Sequence, residues 1–316
     1  MDSVVYIILQ IVVMVGLAPL VNGIIKKIKA FSQKRKGAPV LQLYYDLYKL
    51  MKKDTVVSRT SSWIFKVAPY VTITSAICAA LFIPVTTLLA PVSFAGDIIL
   101  AVYILALGRF FMALAALDTG STFGGMGSSR EMMISSLIEP ALLISVFTIG
   151  LISKSTSVYT MMTTAAKAGF TMTNPVYVLI FFAIFIVLIA ETARTPVDDP
   201  ATHLELTMVH EAMILEYSGK HLALMELGAS IKQLIFITLI ANLFFPLDNL
   251  IHMGSAAAAV SVSLLLYALK VVFISVIVSI TEIGTVKLRL FSVPNLAAIS
   301  FILAFLGFAE YFIIGR

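Results

Sequence analysis

The chain contains a series of long apolar runs without charged residues, and this feature restricts the possible folds more than any other. The first run extends from Ser3 to Ile25 without a charge. A helix rises about 1.5 Å per residue, so a run of this length crosses the ~30 Å hydrocarbon core of a bilayer. Only 12% of the 316 residues are charged, about half the share in soluble domains. The sequence therefore predicts an all-α integral membrane protein rather than a barrel of short alternating strands.

About eight transmembrane helices are predicted, and they make residues 1–316 a single polytopic membrane domain. Each predicted span is an apolar stretch bounded by charged residues or turn-forming residues. Two prolines of the second span, Pro69 and Pro84, are expected to kink it. The predicted spans are Ser3–Ile25, Val67–Leu89, Asp97–Leu117, Glu131–Ile152, Pro175–Ala190, Leu222–Phe245, Ala256–Ile280 and Pro294–Ile314.

The distribution of Lys and Arg predicts how the spans are oriented. The connections after spans one, three, five and seven hold 11, 1, 2 and 2 of these residues, and the opposite side holds three. Because cytoplasmic connections carry the excess of Lys and Arg, we expect the richer connections to be cytoplasmic and both termini to face outward. The basic cluster over residues 26–66 is thus explained by membrane orientation, and we expect no nucleic acid partner.

Two amphipathic segments are predicted outside the spans. Within the basic connection 26–66, apolar residues of Val40–Lys53 such as Leu43, Leu47 and Leu50 recur on one helical face. We expect this helix to lie on the membrane or against a partner subunit. A second and weaker surface helix is predicted from Tyr159 to Lys167, on the opposite side.

The cytoplasmic connection 191–221 is acidic. Its stretch Leu204–Leu215 is apolar enough to form a half-buried helix. A carboxylate in a low dielectric holds its proton more tightly, so such groups can exchange protons near neutral pH and form a relay. A solvated loop is the alternative, and for Asp198 and Asp199 the two interpretations are equally supported. The ionisable residues of this stretch are Glu191, Arg194, Asp198, Asp199, His203, Glu205, His210, Glu211 and Glu216.

Several further ionisable residues lie within or at the edges of the predicted spans. A charge at the centre of a membrane helix costs about 2.5–3.5 kcal/mol on insertion scales, which favours a functional role for the deeper ones. An ion pair of Arg109 with Glu139 is the structural alternative. Glu282 and Glu310 are close enough to span ends to be interfacial. The full set is Arg109, Glu139, Glu226, Lys232, Lys270, Glu282 and Glu310.

The sequence offers little support for a metal or cofactor bound by this chain. Cys78 is the only cysteine, whereas an iron–sulfur cluster needs about four ligands. His203 and His210 lack the spacing of a His-Glu-x-x-His zinc site, and no third ligand is evident. The Gly- and Ser-rich segment Asp118–Glu131 lacks the phosphate-loop pattern and is expected to be a flexible docking loop.

Several motifs resemble those of the respiratory complex I membrane subunit that supplies much of the quinone cavity and links the redox arm to the membrane arm. They are RKGAPV at Arg35–Val40, ETARTPVD at Glu191–Asp198, HLEL around Glu205 and EYSG at Glu216–Gly219. The segment LDTGSTFGGMGSSRE followed by IEP, at Leu117–Pro140, resembles the hydrogenase branch of that family more closely. This branch comprises formate hydrogenlyase and the group 4 membrane-bound nickel–iron hydrogenases.

The resemblance implies a non-catalytic membrane anchor and ion-translocation coupling subunit of an energy-converting hydrogenase in a bacterial or archaeal cell membrane. The implied partners are the hydrogenase large and small subunits and a ferredoxin-like iron–sulfur subunit on the cytoplasmic side, with antiporter-like subunits in the membrane. The nickel–iron site and the clusters would lie in those partners. The alternatives are a quinone-site subunit of a complex I-like dehydrogenase, a subunit of a sulfur-reducing relative, and a stand-alone secondary transporter.

The resemblance also implies roles for individual residues. Glu139 matches an acid at the start of the family's proton path, and Glu226 matches an acid of the sixth span. The family often has further acids where Ala201 and His203 stand here. The residues expected to couple redox chemistry to ion movement are Glu139, Glu191, Asp198, Glu205, Glu211, Glu216, Glu226 and Lys232. The basic residues expected around a cavity are Arg35, Arg109, Arg130 and Arg194.

Overall fold

The structure is a computed structural model that describes residues 2–88, 90, 92–168, 174–199, 208–247 and 256–314. The regular elements of these residues are helical, which confirms the predicted all-α class. A short 3-10 turn, Leu290–Ser292, precedes the last helix. The α-helices are α1 Asp2–Ser32, α2 Gln42–Met51, α3 Trp63–Phe82, α4 Asp97–Asp118, α5 Thr122–Ser153, α6 Val158–Ala168, α7 Pro175–Glu191, α8 His210–Ile214, α9 Gly219–Phe244, α10 Ala256–Gly284 and α11 Val293–Ile314.

Seven helices of the described residues are long and apolar enough to cross a membrane, namely α1, α3, α4, α5, α9, α10 and α11. The remaining predicted span, the fifth (Pro175–Ala190), corresponds to α7, which has 17 residues and is apolar up to its last residue, Glu191. The prediction of about eight spans is therefore met by seven long helices and one short one. The cytoplasmic assignment of the basic connections stays a prediction.

Two local predictions are wrong. Helix α3 ends at Phe82, so Pro84 lies beyond the helix, and only Pro69 is inside it. Helix α5 begins at Thr122, so the segment expected to be a flexible docking loop is mostly helical. Its small residues allow close packing, because a Cβ at Gly124 would lie 2.7 Å from the Ala116 carbonyl oxygen of α4. Tertiary contacts here override the low helix propensity of glycine.

The two amphipathic segments form helices α2 and α6. Helix α2 packs against α1 and α9 of the same chain, and the Tyr44 hydroxyl donates a hydrogen bond to the Gly16 carbonyl oxygen. Its apolar face therefore covers this chain's own spans. Helix α6 buries Met161 and Met162 against the bundle.

Helix α9 forms the centre of the bundle. It packs against α1, α2, α3, α7 and α10, and α11 covers α5 and α7 from outside. In the most apolar stretch of α9, 83% of the residues are buried inside the protein, whereas in that of α11 only 22% are. Polar residues in the middle of α9, such as Lys232 and Gln233, consequently lie inside the protein rather than against lipid.

Candidate functional site: a buried ion cluster beside a polar cavity

Four ionisable residues from four helices form an inner cluster, which we define as Arg109 of α4, Glu139 of α5, Glu191 of α7 and Lys232 of α9. Arg109 Nη1 donates to both carboxylate oxygens of Glu191, at 2.6 and 2.8 Å, and its other terminal nitrogen pairs with Glu139. Lys232 Nζ lies 2.7 Å from Glu191 Oε2. Glu191 therefore holds two cations, and both of its oxygens are engaged.

The inner cluster lies at the depth of the helix middles. Arg109, Glu139 and Lys232 are each several turns from the ends of their long helices, whereas Glu191 is the last residue of α7. Helix α7 thus stops inside the bundle, and this explains why it is shorter than the other spans. The chain that follows is irregular but enclosed, with Arg194, Thr195 and Asp198 buried. Irregular backbone at such a depth is tolerated where it lines a cavity or is enclosed by protein.

A second group of ionisable residues, the outer cluster, consists of Lys29, Arg194, Asp198, Glu282 and Lys287. Arg194 Nη1 donates to Glu282 Oε1 at 3.1 Å, and Lys29 Nζ lies 3.3 Å from Glu282 Oε2. Lys287 Nζ lies 2.6 Å from Asp198 Oδ1. These contacts tie the ends of α1 and α10 to the connection after α7.

Arg194 also links the outer cluster to α9 and α1. Its Nη2 donates to Gln233 Oε1 at 2.7 Å and to the side-chain oxygen of Asn22. The Asn22 amide in turn donates to the Ser230 hydroxyl at 2.9 Å. Gln233 is adjacent in sequence to Lys232, so the two clusters meet on α9.

Asp198 holds helix α8 in place. Its Oδ2 accepts hydrogen bonds from the backbone N–H groups of Val209 and His210, at 3.2 and 3.3 Å. The same carboxylate is paired with Lys287 and is 2% exposed. Of the two interpretations left open for Asp198, the solvated loop is therefore excluded.

A cavity of about 410 Å³ lies between the two clusters and helix α2. Eleven of its 21 lining residues carry ionisable side chains, so the space suits water and ions. A buried polar atom of one lining residue, Gln233 Nε2, makes no hydrogen bond with any residue that the structure describes, which is typical of groups that bind water. The ionisable lining residues are Lys26, Asp46, Lys49, Lys53, Glu191, Arg194, Asp198, His210, Glu211, Glu226 and Lys232.

Burial shifts the pKa values of two neighbouring cavity-lining residues of α8 in opposite directions. Burial lowers the pKa of His210, with Glu211 opposing that effect, and it raises the pKa of Glu211, with His210 opposing. A neutral imidazole and a carboxyl group that keeps its proton more readily are thus placed side by side on the cavity wall. Such a pair can pass a proton without creating a buried net charge.

The structure brings together most of the residues expected to act in coupling, but not all of them. Glu139, Glu191, Asp198, Glu211, Glu226 and Lys232 lie in the clusters or line the cavity. Glu216 was expected among apolar neighbours but is exposed, because the chain turns after α8 and points Tyr217 inward to stack on Phe65 at 4.0 Å between ring centroids. Glu205 and His203 lie outside the described residues.

Of the four basic residues expected around the cavity, two lie in the clusters and two do not. Arg109 and Arg194 belong to the clusters, whereas Arg35 is exposed after α1 and does not line the cavity. Arg130 donates to the Met208 carbonyl oxygen at 2.9 Å and so supports the start of α8. The cavity instead takes its basic lining residues from Lys26, Lys49 and Lys53.

Sequence reasoning missed several participants. Glu282 was expected at the interface, but it is 5% exposed and paired with two cations; this prediction is wrong. The sequence did not indicate that Asn22 and Gln233 take part in the clusters, because an uncharged amide in an apolar run resembles any other tolerated polar residue. Among the described residues, no group of three or more His, Cys, Asp or Glu side chains is arranged to hold a metal ion.

This all-α bundle with a charged interior defines the class as a multi-pass integral membrane protein. The chain belongs to the NADH dehydrogenase family, whose model matches residues 4–312, and this family includes a membrane subunit of complex I. It is a multi-pass protein of a prokaryotic cell membrane.

The curated relatives at the hydrogenase end of the family cover nearly the full chain. Hydrogenase-4 component C of Escherichia coli (strain K12) is 34% identical over 96% of this chain and 94% of its own length. Formate hydrogenlyase subunit 4 of the same strain is 31% identical over 98% of both. An NADH-quinone oxidoreductase membrane component of Phocaeicola vulgatus is 24% identical over 65% of this chain and 57% of its own length.

The fold also matches a solved structure. A chain of the membrane-bound sulfane sulfur reductase, an archaeal respiratory membrane complex, superimposes with a TM-score of 0.84 over 98% of this chain and 99% of that chain. The two sequences are only 19% identical, so this likeness concerns the fold. The relatives and the structural neighbour are subunits of multi-subunit membrane complexes.

Proposed function

We propose that this chain is the membrane anchor and ion-translocation coupling subunit of an energy-converting membrane-bound nickel–iron hydrogenase complex. One observation carries the proposal: a cavity lined by ionisable side chains ends on a cluster of two cations and two carboxylates from four helices, in which Arg109 and Glu191 are buried. Two relatives above 30% identity, a hydrogenase component and a formate hydrogenlyase subunit, support the hydrogenase branch.

The inner cluster is suited to sensing charge. A unit charge about 4 Å from a carboxylate changes its energy by about 4 kcal/mol at an effective dielectric of 20. That energy corresponds to about a thousandfold change in proton affinity. A redox step in a partner above the cavity would act first on the lining groups Glu211 and Glu226, and Lys232 would pass the effect to Glu191 through their 2.7 Å contact.

The partners follow from this function. We expect the hydrogenase large and small subunits and a ferredoxin-like iron–sulfur subunit to bind the side that carries residues 26–66, with antiporter-like subunits beside the bundle in the membrane. The nickel–iron site and the iron–sulfur clusters would belong to those partners, since this chain has one cysteine.

Affinity purification through a tag on this chain tests the hydrogenase assignment. We expect a large subunit with two Cys-x-x-Cys pairs, together with nickel, to copurify. A complex without nickel that retains a quinone would contradict the assignment and support the quinone-site alternative. That alternative has less support, because the quinone-oxidoreductase relative is 24% identical over 65% of this chain, whereas the two hydrogenase-type relatives are 34% and 31% identical over 96% and 98% of it.

The coupling function is tested by Glu191→Gln in inverted membrane vesicles that carry the assembled complex. Hydrogen turnover with an artificial electron donor should stay close to wild type, whereas ion translocation should fall at least about tenfold. Glu310→Gln, a like substitution on α11 away from both clusters, is the matched control and should translocate normally. Full translocation in an assembled Glu191→Gln complex would refute the proposal.

A further inference from the structure

Helix α5 carries a buried carboxylate that neither cluster uses. Glu131 is 5% exposed and lies two turns from the start of the helix. Its face of α5 is packed against α8 and α4, because a Cβ at Gly127 would lie 2.8 Å from the Val209 carbonyl oxygen and the Ser128 hydroxyl donates to the Ala113 carbonyl oxygen at 3.2 Å. The side chain therefore faces the protein interior.

Glu131 differs from the other buried carboxylates in having no hydrogen bond and no ion pair with any residue that the structure describes. Asp97 accepts bonds from Ser157 and Val158, Glu191 holds two cations, and Asp198 is paired with Lys287. A buried and unpartnered carboxylate is costly when it is ionised. Its neutral form removes most of that cost.

The charges that act on Glu131 come from three helices and the connection after α7. Lys232 of α9, Glu191 of α7, Arg109 of α4 and Asp198 of the connection after α7 act on it electrostatically. Helix α8, which packs against α5 and carries His210 and Glu211, approaches this part of α5 through Ala212 and Met213. Arg130, on the same helix as Glu131, is committed to the Met208 carbonyl oxygen.

Taken together, the inner cluster and Glu131 have one carboxylate more than they have cations. Arg109 and Lys232 supply two positive charges, and Glu139, Glu191 and Glu131 supply three carboxyl groups. The donors of both cations point at Glu139 and Glu191, so both cations are committed to these two carboxylates. The remaining group is the one that can bind a proton and give it up again when the field around it changes.

We propose that Glu131 is the exchangeable proton site of the coupling region, beside a Glu191 carboxylate that is paired with Arg109 and Lys232. This inference rests on the proposed coupling function and deepens it by naming the proton carrier. Protonation transfers a proton from a hydronium ion to the Glu131 carboxylate, which forms an O–H bond and leaves a water molecule. Release reverses the step, and no electron is transferred.

Glu131→Gln fixes the neutral form and tests the proposal in vesicles that carry the assembled complex. Proton translocation should fall at least about tenfold, while hydrogen turnover with an artificial donor stays close to wild type. Glu131→Asp keeps the carboxyl group and should restore part of the translocation with an altered pH profile. Glu310→Gln is the matched control.

Infrared difference spectroscopy separates a proton carrier from a structural residue. The band of a protonated carboxylic acid should appear in wild type, shift in deuterated water and disappear in Glu131→Gln, while remaining in Glu310→Gln. A merely structural Glu131 would leave this band unchanged, and that result would overturn the proposal.

The outcomes for Glu131 and Glu191 distinguish the two proposals. Full proton translocation in Glu131→Gln, combined with its loss in Glu191→Gln, overturns the role of Glu131 alone. Full translocation in both variants overturns the coupling function as well. Translocation that depends on sodium and persists with a protonophore would also overturn the assignment of a proton to Glu131.

Discussion

Arg109 of α4 and Glu191 of α7 form a two-bond ion pair across 82 positions of sequence, with Nη1 at 2.6 and 2.8 Å from the two carboxylate oxygens. The same guanidinium also reaches Glu139 on α5. One side chain thus joins three helices. The fork geometry of arginine suits it to this role, whereas a lysine offers a single point charge.

We predict that Arg109→Gln destabilises the protein strongly, because it leaves Glu191 buried with one cation fewer. Breaking a buried ion pair by removing one partner costs about 3–5 kcal/mol. Thermal unfolding of the purified complex in detergent measures the effect. Arg289→Gln removes an exposed arginine and serves as the control; equal stability of the two variants would contradict the prediction.

A double-mutant cycle on Arg194→Met and Glu282→Gln should show strong coupling between these two residues. They are joined by a 3.1 Å ion pair and both are buried. Contacting residues in one network typically show a coupling energy of about 0.5–3 kcal/mol. The same cycle on Arg194→Met and Glu310→Gln should be additive. Additivity in both cycles would show that Glu282 and Arg194 do not depend on each other.

Gly127→Ala and Gly125→Ala should have opposite effects on stability. A Cβ at Gly127 would lie 2.8 Å from both the Val209 carbonyl oxygen and the Ala212 Cβ, so α8 would have to shift. At Gly125 the nearest atom is a Leu117 methyl group at 3.9 Å, and alanine there gains up to about 1 kcal/mol of helix propensity. Thermal unfolding compares the two, and equal gains would argue against close packing of α8 on α5.

His210→Gln should reduce the loss of stability in mild acid. Burial holds the pKa of His210 below its ordinary value of 6.5. Below that value the unfolded chain takes up a proton that the folded protein does not, so the stability contributed by the neutral imidazole falls as the pH falls. Glu211 acts in the opposite direction, because its raised pKa makes the folded form the better proton binder.

Thermal unfolding at about pH 8 and about pH 5.5 measures this difference. The wild type should lose more stability than His210→Gln between the two conditions, whereas at the higher pH the imidazole is neutral in both states and serves as the internal control. An identical loss in the two proteins would exclude a contribution from His210.

The sequence predicted the features that depend on local composition. An apolar run crosses a membrane regardless of its neighbours, so the spans from α1 to α11 were found, as were the amphipathic helices α2 and α6. Ionisable residues inside apolar runs are costly, so Arg109, Glu139 and Lys232 were recognised as special, and the pairing of Arg109 with Glu139 was anticipated. The family motifs then indicated Glu191, Arg194 and Asp198.

Only the tertiary structure decided which residues meet. Glu282 looked interfacial because it is close to the end of α10, but neighbouring helices enclose it beside Arg194. The Gly-rich start of α5 looked like a loop, because the close approach of α4 and α8 that favours small side chains cannot be read from one segment. Glu131 seemed to mark the edge of a span, yet helix packing buries it beside the inner cluster. Burial and pairing are properties of several helices together, so a single apolar run cannot specify them.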